Sequence, residues 1–543
     1  MESHKRLRSS IPLVAHPAIL SRTLVCLGIL ILLSEYVKNR SLWLDEALLS
    51  LNILERSFSG LLSPLSYRQW APVGYLLVEK FLVVLLGGSE YVLRLFPLLC
   101  GVASIVLFSR LVRRILDPLG AMIALGLFVV TDPLIYYASE AKPYSCDVTV
   151  SLLLLLQSIE FLEEAPSLRT AVTLGIAGAL AVWFSYPAVF VLGACGVVLL
   201  LSVLHDRNSP RLAALGATFA TWAVGTAACW QMSRRSLARN EFLELFWNAA
   251  FLPSPLAGRW ICAVTADYLG FLDLTPWRPM LAALIPWGAA SLLIHQRRFL
   301  LAASLTVGLT LAASYLHRYP VYQRFLLFWV PPTIVLIAAG SSLVLQTLGK
   351  LRAELPLVAT VVLFAAPVVH TLKAIAEPRA IQELKPVLAY IKQHEVPGDT
   401  IYVFHLAAYP LKYYAARFGF DDEFPLPQSY YDPTLPAEYA TTRRREFSKP
   451  GFSTIYLGSV SYFTSERLED IQQDFEPLRG RKRVWVLLSH SLGGAQIGSL
   501  IVAYLNRIGT RLDSFGRPGL WGGSEAYLYD LSRAPAAVPP GSS

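Results

Sequence analysis

Apolar runs of about 18 residues recur along the first two thirds of the chain, and each is long enough to cross a hydrocarbon core of about 30 Å. Only 16% of the 543 residues are charged, whereas soluble domains contain roughly 25%. The sequence therefore predicts a polytopic membrane protein built as an all-α helix bundle. We predict about eleven spans, at residues 19–37, 92–112, 119–137, 145–162, 169–185, 187–204, 211–230, 279–294, 299–316, 325–347 and 355–373.

The charges lie mostly between these runs. The formal net charge of +9 would suit a nucleic-acid partner, but much of the lysine and arginine lies in short clusters typical of cytoplasmic loops, which excludes nucleic acid. The basic N-terminus precedes an apolar run without a small-residue cleavage site, which predicts a retained first span. The six cysteines fall mostly inside apolar runs without CxxC spacing, as core residues do.

The apolar segment 72–88 decides the topology. If it crossed the membrane, Arg113 and its neighbours would lie outside the cell. If it lies along the surface, they lie inside, together with the basic clusters at 205–207 and 295–298 and with Lys350. The positive-inside rule therefore predicts an interfacial helix at 72–88 and a cytoplasmic N-terminus. The outer face then receives residues 38–91, 136–147, 183–189, 231–278, 317–324 and everything after about 376.

The last third of the chain changes character. Residues 376–533 alternate between helical and strand patterns, which predicts an extracytoplasmic α/β domain after a membrane domain at 1–375. The tail at 534–543 has a disordered composition. The predicted strands are "TIYVFHL", "STIYLGSV", "RVWVLLS" and "EAYLYDL".

Two adjacent carboxylates, Asp45 and Glu46, follow the first span in "SLWLDEALLS". Residues 43–58 have a helical pattern with Ser41 as the expected N-cap. Because helical neighbours diverge by about 100°, the two carboxylates cannot point at one atom. The pattern alone fits both a solvated helix start and an active-site acid.

Two other stretches predicted to lie on the outer face contain several charged residues. In "SEAKPYSCD", Glu140, Lys142 and Tyr144 flank a proline at a span boundary, which fits either a plain turn or a functional site.

In "HRYPVYQR", three cationic or ionisable residues lie where the positive-inside rule predicts few: His317, Arg318 and Arg324. Arginine binds phosphate with two parallel hydrogen bonds, so this stretch fits a phosphate-bearing ligand. A snorkelling membrane anchor is the alternative.

One apparent catalytic motif is excluded. "SHSLGG" places Ser491 in a lipase-like setting, but a hydrolase of that fold requires a histidine after the serine, and the last histidine is His490. We interpret the glycines as a strand-to-helix turn. The chain also lacks a working phosphate loop, HExxH pair or dinucleotide motif, so ATP-driven transport and zinc proteolysis are unsupported.

Six stretches occur in the order found in one family: "WLDEA", "QWAPVGYLL", "GGSEYVLRLFPLLCG", "YASEAKPYS", "YPVYQRFLLFWVPP" and "PGDTIYVF…YPLKYY". Over nearly its whole length the chain resembles GT-C integral-membrane glycosyltransferases of family 39. It looks most like the bacterial relatives of dolichyl-phosphate-mannose protein mannosyltransferases and of the aminoarabinose lipid A transferase.

The resemblance implies a GT-C helix bundle with interfacial helices. It also implies transfer of a hexosyl or pentosyl group from a polyprenyl-phosphate donor, with inversion, at the outer face of a bacterial inner membrane. Asp45 matches the family's general base or acceptor-orienting group, Glu140 a second acid and Arg324 the phosphate-binding cation. We add Lys142 and Arg318 to the phosphate site, with Glu46, Tyr144, His317 and Gln69 as supporting residues.

The chain departs from the family at one place. Some relatives carry a metal-ligating glutamate before a Pro-Pro pair, where this chain has Gln69 and Ala71. A neutral amide is a poor ligand for a divalent ion, which puts a metal requirement in doubt. We assign no metal ligand and no cofactor.

A transporter or flippase of lipid-linked sugars is the alternative function. It predicts charges within the spans, but few are present, with Asp132 and Asp147 near span ends. The expected partners are the bilayer, the lipid-linked donor and an acceptor on a glycan, lipid or protein.

Overall fold

The computed structural model describes residues 17–164, 167–206, 209–234, 244, 246–274, 278–377, 379, 381–426, 446–459, 468–491, 497–519 and 522–532. The predicted tail at 534–543 lies outside these ranges, as do stretches of the predicted outer loop 231–278. The chain forms two compact units. The membrane unit comprises Met1–Lys38 and Ala71–Glu377, and the sheet unit comprises Asn39–Trp70 and Pro378–Ser543.

Helices account for most of the described residues. In chain order they are α1 (Pro17–Val37), α2 (Leu44–Glu55), α3 (Val73–Leu86), α4 (Glu90–Leu93), α5 (Leu95–Ile115), α6 (Pro118–Val130), α7 (Asp132–Tyr137), α8 (Tyr144–Glu163), α9 (Leu168–Phe184), α10 (Ala188–His205), α11 (Ser209–Ser233), α12 (Gly258–Phe271), α13 (Arg278–His295), α14 (Arg297–Tyr315), α15 (Val330–Leu351), α16 (Leu355–Ala376), α17 (Leu384–His394), α18 (Ala408–Phe418), α19 (Leu468–Phe475) and α20 (Ile497–Ile508).

The predicted helix bundle is confirmed. Within the described part of the chain, eight helical segments are long and apolar enough to cross a membrane: α1, α4 with α5, α8, α10, α11, α14, the run Gln323–Leu351, and α16. The other three predicted spans are also helical, as α6 with α7, α9 and α13. The segment predicted to be interfacial forms α3, whose 14 residues extend about 21 Å, less than the hydrocarbon thickness of about 30 Å.

The core of the membrane unit follows from the sequence pattern. The helix α6 is apolar on all sides, and its residues from Gly120 to Val130 are all buried. A helix of this kind belongs at the centre of a bundle. Two glycines allow α13 and α15 to approach closely. A Cβ at Gly288 would lie 1.9 Å from the Leu336 carbonyl oxygen, and one at Gly340 would lie 2.2 Å from the Leu284 carbonyl oxygen.

The described residues of the sheet unit form one six-stranded sheet in the order β2-β3-β1-β4-β6-β5. The strands β3, β1 and β4 are parallel, whereas β2, β6 and β5 are antiparallel to their neighbours. The strands are β1 (Thr400–Val403), β2 (Glu446–Phe447), β3 (Thr454–Leu457), β4 (Val484–Ser489), β5 (Thr510–Arg517) and β6 (Ser524–Asp530).

The predicted α/β domain is confirmed by this sheet and the helices beside it. The four predicted strands are β1, β3, β4 and β6, and every residue of β4 is buried, as its continuous apolar run predicts. The helix α18 ends at its C-cap Gly419, which has a φ of +71°. Two strands were not predicted, β2 because it has two residues and β5 because it is a largely exposed edge strand.

Candidate active site

The two adjacent carboxylates lie in the first turn of α2 and have different surroundings. The Glu46 side chain is 1% exposed, and its Oε2 accepts a hydrogen bond of 3.4 Å from the Trp43 backbone N–H. This contact caps the helix start. Asp45 is half-buried and does not share that position. The Glu46 carboxylate therefore contacts the backbone of its own helix, whereas the Asp45 side chain leaves the helix at a different angle.

The expected N-cap was wrong. The helix begins at Leu44 with Trp43 as the N-cap, so Ser41 lies outside the helix. The Ser41 hydroxyl instead donates a hydrogen bond of 3.0 Å to the Glu383 carboxylate and accepts one of 3.1 Å from the Lys385 backbone N–H. Ser41 therefore makes contacts with residues distant in the chain, which the local sequence pattern cannot predict.

The segment before α2 is bound by side chains from the far end of the chain. The Leu42 N–H donates to the Tyr414 hydroxyl at 2.8 Å, and the Leu44 N–H donates to Gln382 Oε1 at 3.0 Å. The Gln382 amide nitrogen also contacts the His490 Nδ1 atom. These contacts place residues 39–70 in the sheet unit, whereas the sequence analysis placed the whole loop 38–91 with the membrane domain.

Gln69 lies at the other end of the same loop. Its amide nitrogen is 3.5 Å from the Tyr67 carbonyl oxygen. Asn52 connects this end to α2, because its side chain donates to the Ser66 carbonyl oxygen at 3.1 Å and accepts from the Ser66 N–H at 2.8 Å. Burial raises the pKa of the Tyr67 hydroxyl to about 12, so this side chain stays protonated at neutral pH.

A metal-binding cluster is not found in the part of the chain that the structure describes. No group of three or more histidine, cysteine, aspartate or glutamate side chains there could hold a metal ion. The amide of Gln69, at the position where some relatives have a glutamate, is a poor ligand for a divalent ion.

The second acid and the lysine lie on the turn between α7 and α8 in the membrane unit. The Lys142 N–H donates to the Glu140 carbonyl oxygen at 2.7 Å, and Tyr144 begins α8. The side chains of Glu140 and Lys142 are 0% and 4% exposed. Burying a charge is costly unless it is compensated, so both side chains need polar or charged partners within the membrane unit.

Arg324 lies at the start of the membrane-spanning run Gln323–Leu351. Its guanidinium carbon is 5.7 Å from the centre of the Trp247 ring and 5.5 Å from that of Phe325. Aromatic faces attract cations electrostatically, so the two rings help to hold the guanidinium in place.

Within the membrane unit the structure brings two of the predicted stretches together. The Tyr144 ring is 6.2 Å from the Phe325 ring, which is also a neighbour of the Arg324 guanidinium. The acid-bearing turn and the arginine-bearing stretch thus share one aromatic cluster, composed of Tyr137, Tyr144, Trp247, Tyr322 and Phe325.

His317 and Arg318 have different surroundings from Arg324. Both are exposed, and the His317 ring stacks on Phe251 at 4.7 Å between ring centres. His317 adopts a φ of +54°, which ends α14 with a sharp change of direction. These two residues therefore lie on a surface turn, and the aromatic cluster at Arg324 does not include the His317 ring.

Sequence reasoning missed two groups of residues. Trp247 contacts the Arg324 guanidinium, and the aromatic pair Phe246–Trp247 in a predicted outer loop was a signal that could have found it. Tyr414 and Gln382 bind the segment before α2, but no local pattern marks them because their partners are more than 300 positions away in the chain.

Residues 70–230 match the family model of dolichyl-phosphate-mannose-protein mannosyltransferase. The match covers less than half of the chain. A comparison with curated proteins finds no match.

Three solved structures have a similar fold over most of this chain. ArnT from Cupriavidus metallidurans bound to undecaprenyl phosphate has a TM-score of 0.52 at 13% identity and covers 94% of this chain and 97% of its own. ArnT from the same organism in the apo state has a TM-score of 0.50 at 12% identity and covers 95% and 98%. The Archaeoglobus fulgidus oligosaccharyltransferase tethered with an acceptor peptide has a TM-score of 0.51 at 12% identity and covers 95% and 74%.

The family match and the shared fold agree with the six ordered sequence stretches. The match lies in the membrane unit, and the structural similarity extends through the sheet unit. Together they confirm the predicted resemblance to GT-C integral-membrane glycosyltransferases.

Proposed function

We propose that the protein transfers a hexosyl or pentosyl group from a polyprenyl-phosphate donor to an acceptor hydroxyl. The reaction takes place at the outer face of a bacterial cytoplasmic membrane, by one displacement with inversion. The observation that carries the proposal is the aromatic-bound guanidinium of Arg324 at the beginning of a membrane span. A cation at this position suits a phosphate whose hydrocarbon tail remains in the bilayer.

The fold supports a lipid-linked donor. A structure of similar fold contains undecaprenyl phosphate, and the family model that matches residues 70–230 is named for dolichyl-phosphate mannose. Both molecules combine a single phosphate with a long polyprenyl chain. An arginine at the membrane surface, with Lys142 and the exposed Arg318 as further cations, provides the charge that such a phosphate requires.

The cationic side chains that bind the donor phosphate also assist the transfer step. The bond between the anomeric carbon and the phosphate oxygen breaks, and its electrons go to the phosphate. Fixed cations stabilise this developing charge, so no acid has to protonate the leaving group. The released product is the polyprenyl phosphate.

Asp45 is the proposed general base. It accepts the proton of the acceptor hydroxyl, or orients that hydroxyl, as the oxygen attacks the anomeric carbon from the face opposite the phosphate. Its half-buried position in the first turn of α2 differs from that of Glu46, whose carboxylate caps the backbone. Glu140 is the proposed second acid and orients the sugar or the acceptor.

The sheet unit is the proposed acceptor-selecting element. It follows the membrane unit in the chain and contains the loop that carries Asp45. The acceptor is a hydroxyl of a glycan, a lipid or a protein. The N-terminus lies in the cytoplasm, and the sheet unit lies outside the membrane on the opposite side.

The test is Asp45→Asn in purified full-length protein. The donors are undecaprenyl-phosphate mannose and undecaprenyl-phosphate aminoarabinose with labelled sugars, and the acceptor is an envelope extract of a deletion strain. Loss of a general base should reduce transfer by roughly 100-fold or more. Asp422→Asn, an exposed change in the same unit, should retain wild-type activity. If Asp45→Asn transfers label within a few-fold of wild type, Asp45 is not the base.

The same assay distinguishes the transporter. In sealed vesicles a flippase would move the labelled donor across the bilayer without attaching label to the acceptor. Wild-type protein that behaves in this way with both donors would contradict the proposed transfer.

A further inference from the structure

The backbone immediately before Asp45 is bound by side chains from residues 382–414 of the sheet unit at residues 41, 42 and 44. We infer that Tyr414 and Gln382 are positioning residues that set the direction of Asp45. This inference rests on the proposed role of Asp45 and adds a part for the sheet unit in the reaction itself. All the contacts that carry it lie within the sheet unit.

Tyr414 provides the first contact. Its side chain is 0% exposed, and its hydroxyl oxygen accepts the hydrogen bond of the Leu42 N–H at 2.8 Å. The ring lies on α18 and packs edge-on against Tyr413 at 4.8 Å and against Phe418 at 6.1 Å between ring centres. A tyrosine has few rotatable bonds, so a packed ring holds its hydroxyl, and with it Leu42, at a defined point.

Gln382 provides the second contact. It is 2% exposed, and its Oε1 accepts from the Leu44 N–H, the first residue of α2. Because the oxygen is used in this way, the amide nitrogen is the donor to His490 Nδ1. His490 follows β4 directly, is buried and has a φ of +58°. A residue that sequence reasoning could only exclude as a hydrolase histidine thus holds the amide of Gln382.

Ser41 adds a third contact on the same segment through Glu383 and the start of α17. Residues 41, 42 and 44 are therefore each bonded to the sheet unit, and Asp45 follows as the next residue of a regular helix. Since a helix is stiff, fixing the backbone at Leu44 fixes the position of the Asp45 Cα atom and the direction of its Cα–Cβ bond, from which the carboxylate extends.

Loss of one of these contacts should lower the rate of sugar transfer. Misplacing a catalytic group by about 1 Å can lower a rate by roughly 100-fold without removing any group that binds the substrate. Loss of a contact before Asp45 should therefore lower kcat and leave the KM for the lipid-linked donor nearly unchanged.

Tyr414→Phe and Tyr402→Phe form a matched pair for this test. Both tyrosines are fully buried in the sheet unit, and each makes a hydrogen bond of 2.8 Å through its hydroxyl. Tyr402 on β1 donates to Asp474 in α19, whereas Tyr414 binds the segment before Asp45. Each variant removes one oxygen atom and no ring, so both should fold. Tyr402→Phe loses a hydrogen bond to a carboxylate and should therefore lose at least as much stability as Tyr414→Phe, which makes it a stringent control.

We expect Tyr414→Phe to lower kcat by about 10-fold or more and Tyr402→Phe to leave it within about 2-fold of wild type. The assay uses the labelled undecaprenyl-phosphate mannose or aminoarabinose that wild-type protein accepts. Hydrogen exchange of the peptide containing residues 41–46 should be faster in Tyr414→Phe alone. Equal kcat values for the two variants would overturn the inference.

Gln382 allows a test by rescue. Gln382→Met keeps the length of the side chain but removes the acceptor for the Leu44 N–H, so it should lower kcat. Gln382→Glu keeps an oxygen at that place and should restore a large share of the lost rate. If the methionine variant is as active as the glutamate variant, the contact does not position Asp45.

A double variant separates this inference from the proposed function. If both groups act on one step, adding Tyr414→Phe to Asp45→Asn should lower the residual rate by less than about 2-fold, because the group being positioned is already lost. A full further reduction would show that Tyr414 acts elsewhere and would overturn the inference. Substantial transfer by Asp45→Asn alone would instead overturn the proposed base.

Discussion

Asp45 and Glu46 are adjacent in the chain but have different chemical surroundings. The 100° separation between helical neighbours predicts that they diverge, and the contact from Glu46 to the Trp43 N–H agrees with that. The sequence could not tell which acid caps the helix, because Trp43 became the N-cap in place of Ser41. The position of the N-cap therefore decides which carboxylate contacts the backbone at the helix start.

Arg324 gives the prediction at the residue scale. Arg324→Gln should raise the KM for the lipid-linked donor by roughly 10- to 100-fold, because a hydrogen bond to a charged group contributes about 1.5–3 kcal/mol. Arg324→Lys should have a smaller effect of the same sign, because lysine keeps the charge but loses the forked geometry. The measurement is initial rate against donor concentration with purified protein.

Arg298→Gln is the control for this change. Arg298 is 41% exposed, pairs with Asp206 at 3.5 Å and lies in a predicted cytoplasmic cluster. Its KM should equal that of wild type. The same rise in KM for both variants would indicate a general effect of lost positive charge, in contradiction to a phosphate site at Arg324.

The helices and strands with a strong hydrophobic pattern in their own sequence were predicted. Those that form only because they pair with another part of the fold were not. The strand β4 is a continuous apolar run, and all its residues are buried. The strand β5 has no such run, and it exists because its backbone pairs with β6. The close approach of α13 and α15 has the same origin, since a glycine in the sequence does not show what it will contact.

Gly340→Ala gives the prediction at the element scale. A new methyl group would lie 2.2 Å from the Leu284 carbonyl oxygen, so the backbones of α13 and α15 must separate. Overpacking of this kind costs about 1–3 kcal/mol, and we expect a lower temperature of unfolding in detergent. The measurement is thermal unfolding followed by size-exclusion chromatography.

Gly308→Ala is the matched control, because it lies in the membrane helix α14 and a Cβ there has nothing within 4 Å. Alanine favours a helix over glycine by up to about 1 kcal/mol, so this variant should be as stable as wild type or more so. Equal destabilisation by both changes would show that the contact between α13 and α15 is not the cause.

The chain forms a membrane unit and a sheet unit, and each unit is built from two separate stretches of the sequence. Residues 39–70 belong to the sheet unit although they are flanked on both sides by the membrane unit. Charge distribution predicts which parts lie on which side of the membrane. That prediction is independent of the contacts and can be tested directly.

Single cysteines give the prediction at this scale. Arg298 and Lys449 have side chains of equal exposure, 41% each, but are predicted to lie in the cytoplasm and outside it. With the exposed Cys26 and Cys262 replaced by serine, a membrane-impermeant maleimide should label Lys449→Cys in intact spheroplasts. It should label Arg298→Cys only after lysis. Labelling of Arg298→Cys in intact spheroplasts would reverse the predicted topology.

The sequence by itself determined the membrane-helix bundle, the α/β character of the last third and the residues suited to phosphate and acid–base chemistry. These features depend on hydrophobic runs, periodicity and side-chain type, which are local properties of the chain. Six sequence stretches in a fixed order also indicated the resemblance to GT-C glycosyltransferases.

Only the tertiary structure decided how those residues are held. The Tyr144 ring lies beside Phe325, 181 positions later in the chain, and the Leu42 N–H donates to Tyr414, 372 positions later. Such contacts form because folding brings distant groups to the same place, where a buried N–H must find an acceptor. No spacing in the sequence records that requirement, so the partner of the loop that carries Asp45 could be found only in the fold.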